Sequence, residues 1–298
     1  MATSPSQQAS SGRPAGLLTW IAVGVVLVVV AALVVVKVTS GSASSKNGSD
    51  TPTSSAMLAQ LTTIPASVFN TVGVTSGAAP VAKPITLKHQ PLRTGLSSTG
   101  KQVPNVLYIG AEYCPFCAAQ RWATIVALSR FGTWSGLQNT ASSPIDSYAN
   151  TPSFSFLTAK YSSPYLSFQG IEQYGNKPNP ATQGYFPLMK TPKVANSDFL
   201  KYDTPAFVPG MTVQNEYSYP FMSLGNQALI SGAQYTPGLL TNLSRDSIAA
   251  GLSTPSSPVT QAIVASANYL TASLCKLTKQ QPAAVCTSPG VTTAAKGL

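Results

Sequence analysis

The most hydrophobic run of the chain lies near its start, at residues 17–36, and it contains no charged residue. About 20 helical residues, rising about 1.5 Å each, match the roughly 30 Å hydrocarbon core of a bilayer. The run therefore predicts a transmembrane helix over residues 17–38. A cleaved signal peptide stays open as the alternative, because Gly41-Ser42-Ala43 could form a cleavage site. The apolar stretch of a signal peptide is usually shorter, at about 7–15 residues.

Polar segments flank this run and set the predicted domain boundaries. Residues 1–16 are small and polar, and they form the predicted cytoplasmic tail. Residues 39–55 are rich in Ser, Gly and Thr, which is typical of a flexible linker. We expect an extracytoplasmic domain over residues 56–290 and a loose tail at residues 291–298, because small polar chain ends are seldom ordered.

Within the predicted domain, one stretch changes from strand periodicity to helix periodicity. Residues 105–111 are mostly apolar, which predicts a buried central strand. Helical spacing follows from Cys114 to about Arg130, and Gly132 lies where a glycine commonly follows a helix end. The face of this helix that we expect to be buried consists of Ala118, Trp122, Ile125, Val126 and Leu128.

Further strands and a helix are predicted downstream. Residues 153–160 and 165–174 alternate aromatic or aliphatic with polar side chains, which is typical of strands. Two apolar runs within residues 217–233 flank Gly225-Asn226, a favoured turn pair, and so predict a hairpin. Helical spacing after Pro258 predicts a longer helix that reaches the third cysteine of the chain.

Two segments complete the expected order. Residues 175–216 are rich in Pro, Asn and Lys, with a helical pattern only around residues 194–200. We interpret residues 175–216 as a loop-rich insertion that could cover the cysteine site. Ser244 is a plausible N-cap for a short helix that begins after it.

The overall charge is low and basic. Charged residues make up 9% of the chain, against a usual figure of about 25%. Lys and Arg number 18 and Asp and Glu number 8, which gives a formal net charge of +10. The basic residues are scattered, whereas a nucleic-acid-binding protein clusters them on one face or helix. We therefore expect a solvated basic surface and no nucleic-acid partner.

The orientation of the predicted anchor rests on chemistry more than on loop charge. Arg13 precedes the apolar run, while Lys37 and Lys46 follow it, so the positive-inside rule favours neither orientation. Low charge and paired cysteines favour a domain outside the cytoplasm. The predicted location is the cell membrane, with a single span, a cytoplasmic N-terminus and an extracytoplasmic C-terminal domain.

Four cysteines fall into two local pairs, which suits an oxidising compartment: Cys114, Cys117, Cys275 and Cys286. Three connectivities are possible, and proximity along the chain favours pairing within each local pair. For Cys275 and Cys286 we expect a structural disulfide worth roughly 2–3 kcal/mol. A second redox pair that relays electrons to Cys114 stays open as the alternative.

The first cysteine pair has the spacing of a redox centre. Two thiols three residues apart at a helix start can close a small disulfide ring. The first sulfur then faces free backbone N–H groups and the positive end of the helix dipole, and both favour the reactive thiolate. An inert disulfide or half of a zinc site are the alternatives, but zinc normally needs a second Cys or His pair at short spacing. We predict no metal and no organic cofactor.

Two other titratable residues could take part in catalysis. Glu112 lies two residues before the first cysteine and could carry a proton or tune the thiolate, although a solvated loop carboxylate explains it equally well. His89 is the only histidine, and it has no Cys, Asp or Glu at ligand spacing. We expect His89 in a surface loop, and a hydrolase is a distant third possibility.

The segment Ala111-Glu112-Tyr113-Cys114-x-x-Cys117 resembles the thioredoxin sequence Ala-Glu-Trp-Cys-x-x-Cys. Pro220, with the apolar run and Gly-Asn turn after it, resembles the segment that follows the cis-proline of the same fold. The wider pattern over residues 55–290 resembles a thioredoxin-like family of unknown function from actinobacteria and archaea, the domain of unknown function 929. This resemblance implies an α/β thioredoxin-like fold, with a central mixed sheet flanked by helices.

The resemblance also implies roles for individual residues. Cys114 matches the nucleophilic thiol and Cys117 the resolving thiol. Pro220 matches the cis-proline beside the disulfide, and the backbone of Tyr219 would pair with a substrate chain. The chain departs from thioredoxins at Tyr108, where those proteins carry a buried Asp that assists proton transfer.

A second departure lies between the two cysteines, where Pro115 and Phe116 replace the Gly-Pro of thioredoxins. We expect both residues to contact substrate. The two departures weaken the case for a thioredoxin-type reductase.

The predicted function is that of a membrane-anchored extracytoplasmic thiol–disulfide oxidoreductase. The expected partners are protein thiols or disulfides as substrates, an unidentified membrane redox partner that recycles the cysteine pair, and the membrane itself through the N-terminal helix. The alternative is a redox-inert interaction or envelope-structural module, because an insertion that covers the disulfide would keep protein substrates away.

Overall fold

A computed structural model describes residues 51–75, 77 and 80–298. The predicted tail at residues 1–16, the predicted transmembrane helix at 17–38 and most of the predicted linker at 39–55 lie outside the described residues. Across the part that is described, no helix is both long enough and apolar enough to cross a bilayer.

The described chain is a mixture of helices and strands. The helices are α1 (Ser55–Thr62), α2 (Ala66–Val72), α3 (Pro115–Leu128), α4 (Lys193–Tyr202), α5 (Arg245–Gly251), α6 (Pro258–Leu277), α7 (Ala283–Cys286) and α8 (Pro289–Ala295). The strands are β1 (Thr51–Pro52), β2 (Ile85–Thr86), β3 (Thr94–Leu96), β4 (Gln102–Gly110), β5 (Thr133–Ser135), β6 (Gln138–Ala141), β7 (Pro152–Ser155), β8 (Lys160–Ser162), β9 (Ser167–Glu172), β10 (Tyr174–Asn179), β11 (Gly184–Pro187), β12 (Phe221–Leu224) and β13 (Ala228–Ser231).

The main sheet is mixed and is built around β4. Its order is β2-β13-β12-β4-β3, and β9 also pairs with β4. β9 runs parallel to β4, with Gly110 opposite Glu172, whereas β12 runs antiparallel, with Phe221 opposite Ile109. The apolar run at residues 105–111 therefore forms the strand that other strands flank on both sides, as the sequence predicts.

Alternate residues of β4 face two separate cores, because successive strand residues point to opposite faces. Val106 and Tyr108 belong to the larger core, to which α3 and α6 contribute many of their buried apolar residues. Leu107 and Ile109 belong to the smaller core, to which α4 contributes buried residues. The sheet thus has helices on both faces, and the domain is an α/β domain with a central mixed sheet.

Helix α3 follows β4 after a short turn and is enclosed almost completely. Every side chain from Pro115 to Leu128 except Phe116 is buried, which is more than the single buried face that helical periodicity predicts. The buried indole of Trp122 donates a hydrogen bond to the Pro152 carbonyl at the start of β7 (2.9 Å). The small residues of α3 allow α6 and β7 to approach it closely.

The segment at residues 175–216 is more regular than the loop-rich insertion predicted from its composition. β10 and β11 form an antiparallel hairpin, and α4 follows it. The ring of Tyr185 stacks on that of Tyr113, with ring centroids 4.0 Å apart. This aromatic contact joins the hairpin to the turn before Cys114, while most hairpin side chains stay exposed or half-buried.

Both ends of the domain also differ from expectation. Residues 51–52, assigned to the linker, form strand β1 and pair with β6, and α1 begins at Ser55. The tail at residues 291–298 is not loose, because most of it belongs to α8. In that helix Val291 and Ala294 are buried, and the Gly290 amide donates to the Asn70 side chain (3.1 Å). These anchoring contacts come from distant residues, which local composition does not reveal.

Candidate redox site

Cys114 lies at the junction of β4 and α3 and is the N-cap of the helix. Its backbone is extended, and its Sγ accepts a hydrogen bond from the Cys117 amide (3.3 Å). Pro115 is well placed at the first helical position, because its fixed φ suits a helix and no N–H is needed there. Cys114 and Cys117 are free thiols in this structure. The local sequence thus directs the first sulfur towards the helix N-terminus.

The hairpin β12–β13 brings a second segment to the same place. Because Phe221 is opposite Ile109, the residues just before β12 lie beyond the end of β4, beside the cysteines. The Tyr219–Pro220 peptide bond is cis. The Cys114 Sγ lies 3.8 Å from the Tyr219 carbonyl oxygen. The structure therefore brings Cys114, Cys117, Tyr219 and Pro220 together.

The two thiols differ in acidity. The hydrogen bond between the cysteine side chains is the main cause that lowers the pKa of Cys114, and the amides of Cys117 and Phe116 and the charge of Arg121 lower it further. Burial acts in the opposite direction but does not prevail. Burial raises the pKa of Cys117 well above its ordinary value, and the neighbouring Cys114 raises it further. Cys114 therefore loses its proton more readily than Cys117, which tends to stay protonated.

A buried ion pair lies beside the turn that leads into the cysteine site. The Arg121 guanidinium donates to Glu172 through Nε (2.9 Å) and Nη2 (2.6 Å). Its Nη2 also donates to the Ala111 carbonyl (2.8 Å), in the turn that leads to the first cysteine. Arg121 and Glu172 were not among the site residues predicted from the sequence. The available signal was one charged residue in an otherwise uncharged helix and another in an alternating strand.

The other predicted site residues occupy three different environments. Glu112 is 2% exposed, so it is not a solvated loop carboxylate, and its amide donates to the Tyr174 carbonyl (2.8 Å). Pro115 is buried in the first turn of α3. Phe116 is 42% exposed, with its ring edge-on to Tyr148. Of the two residues between the cysteines, Phe116 is the one with a surface for a ligand.

A groove of about 660 Å³ opens beside the cysteine site. It is lined by Tyr113, Tyr174, Asn179, Thr182, Gly184, Tyr185, Pro187 and Tyr219. Most of these residues belong to the β10–β11 hairpin. Tyr113 directly precedes Cys114, and Tyr219 is the residue whose carbonyl faces the Cys114 sulfur. The segment that could cover the cysteines thus forms one wall of this groove, and Cys114 itself is 6% exposed.

The remaining predicted residues lie apart from this site. Cys275 and Cys286 are joined by a disulfide that connects the last turn of α6 to the end of α7. His89 is exposed on a loop. Within residues 51–298, as far as they are described, no group of three or more His, Cys, Asp or Glu side chains could hold a metal ion.

A family model described as a domain of unknown function, DUF929, matches residues 93–276. This range includes the cysteine pair, the buried ion pair and the Tyr219–Pro220 segment. No curated protein matches the chain significantly, and no solved structure does so.

Proposed function

The chain belongs to the DUF929 family, and we propose that it is a thiol–disulfide oxidoreductase with a thioredoxin-like fold. The observation that carries the proposal is the surroundings of one sulfur atom. The Cys114 Sγ accepts the Cys117 amide at a helix N-terminus and lies 3.8 Å from the Tyr219 carbonyl, which precedes a cis-proline. An inert disulfide would need neither a thiolate-stabilising amide nor an adjacent carbonyl.

The proposed reaction assigns a separate role to each thiol. The Cys114 thiolate attacks a substrate disulfide, forms a mixed disulfide and releases one substrate sulfur as a thiolate, which takes up a proton. Cys117 then attacks the Cys114 sulfur and releases the second substrate thiol, which leaves the pair oxidised. Oxidation of substrate thiols follows the same steps in reverse. The lowered pKa of Cys114 and the raised pKa of Cys117 support this division of roles.

The neighbouring backbone and aromatic groups suit a polypeptide substrate. The Tyr219 carbonyl can accept a hydrogen bond from an extended substrate chain beside Cys114. The exposed ring of Phe116 and the tyrosine-lined groove offer further aromatic surfaces for such a chain. We propose protein thiols and disulfides as substrates, with the domain held outside the cytoplasm by an N-terminal membrane anchor and recycled by a membrane redox partner.

The test is a trapping experiment with two variants of the full chain. Cys117→Ala is expected to accumulate a mixed disulfide with a model peptide disulfide, whereas Cys114→Ala forms none. Mass spectrometry under non-reducing conditions identifies the adduct. The reduction potential of the wild-type pair then gives the direction, since about −120 mV indicates an oxidant and about −270 mV a reductant.

A redox-inert interaction module is the second candidate, and one observation favours it. Cys114 is only 6% exposed, so a bulky substrate has little access to its sulfur in this conformation. In that case Cys117→Ala traps no adduct, and wild-type Cys114 and Cys117 do not exchange with a defined thiol–disulfide buffer.

A further inference from the structure

Behind Cys117 lies a group of polar side chains that the exchange reaction described above does not use. Tyr108, Arg121 and Glu172 are all 0% exposed. They come from β4, α3 and β9, so the fold brings them together from three elements. Buried polar and charged groups are costly unless they are compensated. Their position next to a buried thiol therefore calls for a chemical explanation.

Gly110 explains how the Tyr108 hydroxyl comes close to the Cys117 thiol. Gly110 lies two residues after Tyr108, on the same face of β4. A Cβ atom on Gly110 would lie 2.5 Å from the Tyr108 Oη and 2.9 Å from the Cys117 Sγ. The hydroxyl and the thiol thus both border the space of the missing side chain, and among the described residues the Tyr108 Oη has no hydrogen-bond partner. Burial raises the pKa of Tyr108, so the phenol keeps its proton and can act as a donor.

Arg121 provides positive charge in the same place. Glu172 fixes the guanidinium through two hydrogen bonds, and the Arg121 Cζ lies 5.7 Å from the centre of the Tyr108 ring. Among the described residues, nothing accepts a hydrogen bond from the Arg121 Nη1. The charge of Arg121 lowers the pKa of Cys117, against the larger effect of burial.

We propose that Tyr108 donates a hydrogen bond to the Cys117 thiolate when the mixed disulfide is resolved. Arg121, held by Glu172, is a positioning residue for Tyr108 and adds positive charge beside the thiolate. This inference rests on the proposed exchange function. In the step itself, the Cys117 sulfur bonds to the Cys114 sulfur as the bond between Cys114 and the substrate sulfur breaks.

The proton and electron balance of this step closes without any other reagent. The departing substrate sulfur takes up the proton that Cys117 loses and leaves as a thiol. The cysteine pair is oxidised, the substrate is reduced, and Tyr108 keeps its proton throughout. Tyr108 thus acts by stabilising charge and not as a base.

The test separates the two steps of exchange with a chromogenic aromatic disulfide as the probe. The reduced wild-type protein releases one chromophore when Cys114 attacks and a second when Cys117 resolves the adduct. Tyr108→Phe is expected to leave the first phase unchanged and to slow the second about tenfold, because one hydrogen bond to a charged group is lost. Tyr235→Phe is the matched control. Its buried hydroxyl donates to the Ala119 carbonyl (2.6 Å) on α3, the helix that also contains Cys117.

A second phase that Tyr108→Phe leaves unchanged, or that both variants slow equally, would overturn the inference. A wild-type protein that releases no chromophore would instead contradict the proposed exchange function. In that case a pH titration of Cys117 without substrate still tests whether Tyr108 stabilises the Cys117 thiolate. In a Cys114→Ala background, the Cβ chemical shift of Cys117 followed against pH is expected to give a midpoint about one unit higher with Tyr108→Phe. An unchanged midpoint would again reject the role of Tyr108.

Discussion

Both cysteine pairs of this chain lie at helix ends, and burial does not distinguish them. Cys114 and Cys117 are 6% and 0% exposed, and Cys275 and Cys286 are 2% and 3% exposed. What differs is the chemistry around them. The Cys114 sulfur meets a backbone amide and a carbonyl, and its partner lies beside a tyrosine hydroxyl. Cys275 and Cys286 belong to the larger hydrophobic core.

The spacing of the cysteines along the chain and their chemical surroundings together set the role of each pair. A thiolate needs donors and positive charge, and the turn from β4 into α3 supplies both through free amides and Arg121. A structural disulfide needs only the right separation of two backbone segments, and the Cα atoms of Cys275 and Cys286 are 5.6 Å apart. The first pair is therefore expected to react and the second to stabilise.

The largest expected effect separates the pairs by activity. Cys114→Ala removes the proposed nucleophile and should lower the rate of disulfide exchange by roughly a thousandfold or more, because no other group replaces it. The double variant Cys275→Ala/Cys286→Ala should keep most of the activity, measured with the same chromogenic disulfide. A comparable loss in both variants would assign a redox role to the second pair as well.

The second effect separates the pairs by stability. Opening the loop between Cys275 and Cys286, which are 11 residues apart, should lower the free energy of unfolding by about 3 kcal/mol. Cys114→Ala leaves that disulfide intact and loses only one buried sulfur, so it should cost about 1 kcal/mol. Urea unfolding under non-reducing conditions measures both values. If Cys114→Ala lowers the free energy of unfolding more than loss of the disulfide does, Cys275–Cys286 is not the structural disulfide of this domain.

The third effect concerns only the proposed reactive pair, Cys114 and Cys117. Gly110→Ala places a methyl group against the Tyr108 hydroxyl and the Cys117 sulfur, and overpacking of this kind costs about 1–3 kcal/mol. Resolution by Cys117 should slow as well, because the tyrosine and the thiol are forced apart. Gly251→Ala, at the end of α5, meets no atom within 4 Å and is the control, with stability unchanged or slightly raised. Equal effects of the two variants would show that the space at Gly110 has no special role.

The sequence predicts the parts of this site that depend on neighbouring residues. The strand, the cysteine turn and the helix start follow from periodicity within a short stretch, and the Gly225-Asn226 pair predicts the hairpin that carries Pro220. Both turn residues have positive φ values in the structure, which Gly and Asn tolerate best.

Contacts between distant segments cannot be predicted from local sequence patterns in the same way. The pairing of Arg121 with Glu172 depends on the parallel register of β9 on β4, which no local pattern reveals. Similarly, the prolines of residues 175–216 predict loops, yet stacking of Tyr185 on Tyr113 stabilises a hairpin there. Tertiary contacts override local propensity at these positions.

The smallest expected effect concerns the loop that presents Tyr219 to the reactive pair. The buried Asp203 carboxylate accepts a hydrogen bond from the Ser218 amide (2.6 Å), one residue before Tyr219. Burial is the main cause that raises the pKa of Asp203 from 3.8 to about 6, and Glu216 raises it further against hydrogen bonds from Ser231 and Ser218. The folded protein therefore holds this proton more tightly than the unfolded chain does.

The sign of the pH dependence follows from that difference. The contribution of Asp203 to stability is complete below about pH 4 and is lost as the pH rises to about 6. Asp203→Asn should remove this part of the slope when the free energy of unfolding is measured across that range, whereas Asp246→Asn, at an exposed carboxylate, should retain it. The same change should alter exchange by Cys114 more than the integrity of the Cys275–Cys286 disulfide, since the Tyr219 carbonyl of this loop lies 3.8 Å from the Cys114 sulfur. A slope that persists in Asp203→Asn would mean that another group causes this pH dependence of stability.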